Sequence, residues 1–135
     1  MERQKKIVDA SVAVKWFLNE KDSDKALKIR EDHISGKIEM VVPELIFLEV
    51  ANALKCKKLN VERILYANKS LWISQFDIPK ADSYFLEKAI ENSIKYNITV
   101  YDALYVTLAQ IHGAFLITAD KELYKIPNVI ALEKT

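Results

Sequence analysis

Five short apolar runs constrain what this chain can fold into more than any other feature. They fall at residues 6–9, 38–42, 76–78, 114–118 and 128–131, and each is too brief to be a buried helix. Between them apolar residues recur at helical spacing. Ala10-Ser11 opens a helix carrying Val12, Val14, Trp16, Phe17 and Leu18, and Ala26, Leu27, Ile29 and Ile34 predict a second over 23–36 that ends at Gly36. Pro43 is suited to the first turn of a third helix over 44–58, and Asn60 to the cap of a fourth over 61–74. A fifth is expected over 80–96, with Tyr84, Phe85, Ala89, Ile90 and Ile94 on one face. A sixth runs over 100–112 and is ended by Gly113, and a short helical turn follows Asp120. Strands alternating with helices predict an α/β fold with a parallel sheet.

At 135 residues the chain is expected to be a single domain over 1–135 that buries roughly two-thirds of its unfolded surface. Two glycines and three prolines leave no flexible linker and exclude a glycine-rich phosphate loop. No apolar stretch approaches the roughly 18 residues of a membrane span, so no membrane partner is expected. The charged start Met1-Glu2-Arg3-Gln4-Lys5-Lys6 carries no leader pattern, and the lone Cys56 excludes an internal disulfide. These features predict a cytoplasmic protein. The net charge of +1 does not advertise nucleic-acid binding, although Arg3, Lys5 and Lys6 form one basic cluster and Lys55, Lys57 and Lys58 another. His33 and His112 stand apart from any metal-ligand spacing.

Most acids fall on polar faces, but Asp9, Glu49, Asp102 and Asp120 do not. Asp9 and Asp120 each follow a strand, and the carboxyl ends of parallel strands share one edge, where ligands bind beside the point of strand-order reversal. The helices holding Glu49 and Asp102 can bring them to the same edge, and Asn52 shares the Glu49 face three residues on. Each acid also has a structural alternative. Asp9 could meet the amides of the following helix, Thr99-x-x-Asp102 resembles a capping box, Asp120 could cap the next turn, and Glu49 could pair with a buried Lys or Arg. Gathered together, the four would repel one another unless a cation lay between them. Oxygen-only ligands suit Mg²⁺ or Mn²⁺, and such a metal beside acids points to hydrolytic nuclease chemistry.

The same residues carry a resemblance. Ile7-Val8-Asp9-Ala10-Ser11, the run from Pro43-Glu44-Leu45 to Leu48-Glu49-Val50-Ala51-Asn52-Ala53-Leu54, Tyr101-Asp102-Ala103-Leu104-Tyr105 and Leu116-Ile117-Thr118-Ala119-Asp120 resemble the four signature blocks of PIN-domain ribonucleases, and of their VapC-type toxins in particular. The resemblance implies a three-layer α/β/α fold whose five-stranded parallel sheet, in the order 3-2-1-4-5, is flanked by about seven helices. That order would set Asp9 and Asp120 facing each other across the switch point. It implies Mg²⁺- or Mn²⁺-dependent cleavage of RNA to leave a 5′-phosphate, by the toxin of a type II toxin–antitoxin pair. Asp9, Glu49 and Asp102 correspond to the core metal ligands and Asp120 to the more variable fourth acid. Ser11 and Thr118 correspond to hydroxyls that bond within the acidic centre. A homodimer and a VapB-type antitoxin are the implied partners.

On this reading Asp9, Glu49, Asp102 and Asp120 form the catalytic and metal-binding set, Ser11, Asn52 and Thr118 support it, and Lys15, one turn beyond Ser11, contacts substrate phosphate. Two other classes fit parts of the pattern: a non-catalytic interaction module built on the same fold, and a receiver-like phosphoacceptor domain with Asp9 as acceptor. No role is assigned to Glu122 from the sequence.

Overall fold

The computed structural model describes residues 3–135; the first two residues of the charged N-terminal run lie outside them. Four parallel strands, β1 (Gln4–Val8), β2 (Ile38–Val41), β3 (Phe115–Thr118) and β4 (Val129–Ala131), form one sheet in the order β2-β1-β3-β4. The helices are α1 (Ala10–Ala13), α2 (Ser23–Ile34), α3 (Leu45–Cys56), α4 (Val61–Ile73), α5 (Ser83–Tyr96) and α6 (Val100–Ile111).

Successive strand side chains point to opposite faces, yet Ile7 and Val8, Met40 and Val41, and Leu116 and Ile117 are all buried. Helices therefore cover both faces, with α2 against β2 and α6 against β1 and β3. One contiguous core runs from Ile7 to Leu132.

Among the described residues the sheet has four strands rather than the expected five. Residues 76–78 make a single parallel bridge, Val41 to Asp77, in which the Asp77 amide donates to the Met40 carbonyl and the Val42 amide to the Asp77 carbonyl, each at 3.0 Å. Gln75 enters that bridge in the left-handed region, at φ 57°, and Pro79 after it has no amide hydrogen, so pairing cannot propagate either way. The remnant lies outside β2, where the order 3-2-1-4-5 puts its third strand.

Among the described residues there are six α-helices, not seven. The turn after Asp120 is 3₁₀ (Lys121–Leu123), as is Val14–Trp16, which cuts the first helix to four residues. That tightening turns Trp16 inward, where its indole N–H donates to the Ala26 carbonyl at 2.8 Å. The fifth helix starts later than expected because Asp82 caps it, accepting from the Phe85 amide at 2.8 Å. Asn60 caps α4 as expected, accepting from the Arg63 amide at 3.0 Å, and Gly36 (φ 84°) and Gly113 (φ 59°) supply the left-handed exits after α2 and α6.

The α5–α6 pair holds a buried polar knot. Asn92 Nδ2 donates to Thr107 Oγ1 at 2.9 Å and to Gln110 Oε1 at 2.8 Å. Asn92→Ala is expected to lower stability by about 1–2 kcal/mol in denaturant unfolding, because the bonds from the buried Asn92 amide that tie α5 to Thr107 and Gln110 of α6 are lost.

Candidate active site

The site begins with the sheet register. Val8 pairs with Ile117, so the next step out of each strand sets Asp9 beside Thr118 rather than beside Asp120. Asp9 and Asp120 therefore do not face each other as expected: Asp120 lies two residues past the paired position, where it caps the 3₁₀ turn by accepting from the Glu122 amide at 3.0 Å.

Asp9 is 5% exposed and is bound by two hydroxyls. Ser11 Oγ donates to Oδ1 and Thr118 Oγ1 to Oδ2, each at 2.5 Å. Both hydroxyls are themselves oriented by backbone amides leaving β3, Ala119 donating to Ser11 at 2.9 Å and Asp120 to Thr118 at 3.0 Å. Two amide-to-hydroxyl-to-carboxylate chains thus tie the exits of β1 and β3 together. Burial pushes the Asp9 carboxyl up to about 6 against the pull of these two bonds, and the charge of Asp102 adds to the rise.

Glu49 and Asp102 are half-buried. Burial raises the Glu49 carboxyl above its ordinary range and the charge of Asp102 adds to this, while a hydrogen bond from the Tyr105 hydroxyl, at 2.5 Å, opposes it. The partner of Glu49 is thus a phenol, not a lysine or arginine. Asp102 lies in the first turn of α6, where its amide donates to the capping Thr99 hydroxyl at 3.0 Å. Its carboxyl is raised first by burial, then by the charge of Asp120, with Glu122 adding a smaller push. Asp102 is the hub of the group: its charge acts on both Asp9 and Glu49, and it feels both Asp120 and Glu122. Among the described residues no salt bridge reaches any of these acids.

Two residues with expected supporting roles stand elsewhere. Asn52 shares α3 with Glu49 but is exposed and makes no side-chain hydrogen bond to the acids among the described residues. Lys15 has its ammonium on Glu20 Oε1 at 3.2 Å and on the Lys21 carbonyl at 2.8 Å, so a phosphate would have to displace Glu20 to reach it. Two further residues act on the acids without a site role assigned to them from sequence. Tyr105 hides as a core aromatic, although its position three residues beyond Asp102 puts it on the same helix face; Glu122 looks like a surface acid and acts through charge alone.

The donor set is entirely oxygen and carries unbalanced negative charge, which fits a hard divalent cation and not zinc or copper. As the side chains stand, no three His, Cys, Asp or Glu among the described residues group tightly enough to hold an ion.

A family model described as the PIN domain matches residues 6–129, a span that includes all four acids. The chain belongs to the PIN domain family. This PIN domain is 33% identical over 133 residues to Ribonuclease VapC3 of Pyrobaculum aerophilum, spanning 93% of this chain and 98% of that one. A crystal structure of a Pyrobaculum aerophilum protein superposes with a TM-score of 0.70 at 26% identity, covering 97% of this chain and 91% of that one. A toxin–antitoxin complex from Klebsiella pneumoniae shares the fold with a TM-score of 0.70 at 19% identity, covering 93% and 96%.

Proposed function

We propose that this PIN domain is a Mg²⁺- or Mn²⁺-dependent endoribonuclease and the toxin of a type II toxin–antitoxin pair. The observation that carries the reading is a set of acids left without counter-charge: Asp9 is buried at the exit of β1, the charge of Asp102 acts on both Asp9 and Glu49, and among the described residues no salt bridge reaches any of the three. Evolution of such a site in a purely structural role would leave a standing repulsion that a hydrophobic or paired arrangement avoids. The similarity to a ribonuclease over nearly the whole chain supports the same reading.

Asp9, Glu49 and Asp102 would hold the cation, with Asp120 orienting the attacking water or a second ion. When bound, the cation supplies an activated water and neutralises charge growing on the phosphate. Ser11 and Thr118 fix both Asp9 oxygens, so this carboxylate enters the reaction already oriented and loses no rotamer freedom on binding. The attacking water forms the new P–O bond as the 3′-oxygen leaves, which yields a 5′-phosphate and a 3′-hydroxyl.

The chain over 1–135 acts as a single domain in the cytoplasm. Its partners on this reading are RNA, a second copy of itself and a VapB-type antitoxin, and the likeness to a solved toxin–antitoxin complex supports the last of these.

Incubation of the protein with cellular RNA and Mn²⁺, followed by end sequencing, tests the reading. Cleavage leaving 5′-phosphates and stopped by EDTA is the expected result. Cleavage that persists unchanged in EDTA overturns the metal dependence, and intact RNA in Mn²⁺ overturns the nuclease.

A further inference from the structure

We propose that Tyr105 is a positioning residue for Glu49, a phenolic post that holds the glutamate carboxylate turned toward Asp102 with one oxygen free. The inference rests on the reading that Glu49 ligates a divalent cation.

Tyr105 is 1% exposed, so its ring is fixed by the core while its hydroxyl reaches out of α6 to Glu49 Oε1 on α3, at 2.5 Å. The carboxylate can only accept, so the phenol donates. Glu49 needs such a restraint. Its neighbour Leu48 is 70% exposed and Asn52 one turn on is exposed, so this side of α3 opens to solvent. A free glutamate there would sample many rotamers and lose them on binding an ion. The bond takes Oε1 and leaves Oε2 without a side-chain hydrogen bond among the described residues.

The chain spacing gives the arrangement its logic. Tyr105 follows Asp102 by three residues, so one face of α6 carries both the hub acid and the group that aims the acid of the opposite helix. A single shift of α6 would move both together, which keeps Glu49 and Asp102 in register. Partners of this kind, one step removed from a metal, typically govern affinity by roughly 10–100-fold.

Tyr105→Phe keeps the packed ring and deletes only the donor. Wild type and Y105F, each free of RNA, are titrated calorimetrically with Mn²⁺, alongside metal-free thermal melts and cleavage rates across a Mn²⁺ series. The expected result is Mn²⁺ affinity weakened roughly 10–100-fold in Y105F, a metal-free melt that still shows one cooperative transition, and cleavage lost at low Mn²⁺ but recovered at high Mn²⁺. In a Glu49→Ala background the same change is expected to cause no further loss of affinity.

Unchanged Mn²⁺ affinity in Y105F beside a wild type that binds overturns the positioning role. So does an additive loss in the Glu49→Ala background, which would trace the effect to packing. Absence of saturable heat in the wild type overturns the metal reading beneath it.

Discussion

Asp102→Asn is expected to lower Mn²⁺-dependent RNA cleavage by about 10²–10³-fold, the usual cost of deleting one preorganised electrostatic contact to a reacting group. The expectation follows from the position of Asp102 as the hub: removing its charge withdraws a ligand and also relaxes Asp9 and Glu49, both of which it acts on. The fold should survive, because the capping bond to Thr99 uses the Asp102 backbone amide, which asparagine keeps. The metal-free melting temperature should rise, since Asp120 and Glu122 no longer push on a like charge. Initial rates at one Mn²⁺ concentration and thermal melts in EDTA read the two effects. A variant that is inactive and less stable would mean that Asp102 serves the fold, not the chemistry.

The second large effect is in the pH dependence of metal-free stability. Asp9 moves from 3.8 to about 6 on folding. Its folded pKa is therefore raised, so the folded state holds the proton more tightly than the unfolded chain. The contribution of this group to stability is fully present below pH 3.8 and is lost as pH rises to about 6. At about 1.4 kcal/mol per pH unit the loss is about 3 kcal/mol. Glu49 and Asp102 are raised as well and act in the same direction. Denaturant unfolding in EDTA should show stability falling across this window in the wild type and a flatter profile in Asp9→Asn, which is expected to be the more stable of the two at pH 7.5. Equal pH profiles would mean that Asp9 is not the buried carboxyl that sets the slope.

What the chain discloses before folding depends on the range of the interaction that fixes it. Helices announced themselves through local chemistry: Asn60, Gly36 and Gly113 act at the ends where their side chains, or lack of one, suit them. The β-like run at 76–78 has strand composition, but pairing depends on a neighbour and on both flanks, and Gln75 and Pro79 deny it more than one bridge. Register is a tertiary fact of single-residue precision, so the pairing that sets Thr118, and not Asp120, beside Asp9 could not be read from either strand alone.

The acids were conspicuous because carboxylates in apolar context are costly, and that cost shows in sequence. Their partners were not. Tyr105 reads as one more core aromatic because nearly all of it is one; only its oxygen leaves the core. Lys15 follows Ser11 at a spacing that suggests phosphate contact, yet the chain curls back within six residues and hands it Glu20 and the Lys21 carbonyl.

Asp9, Glu49 and Asp102 are expected to bind a divalent cation. Calorimetric titration of the RNA-free wild type with Mn²⁺ at pH 7.5, with Asp102→Asn as the comparison, tests this most directly. Saturable heat in the wild type and its loss in the variant are the expected result. Equal heats in both proteins, or none in the wild type, would contradict it.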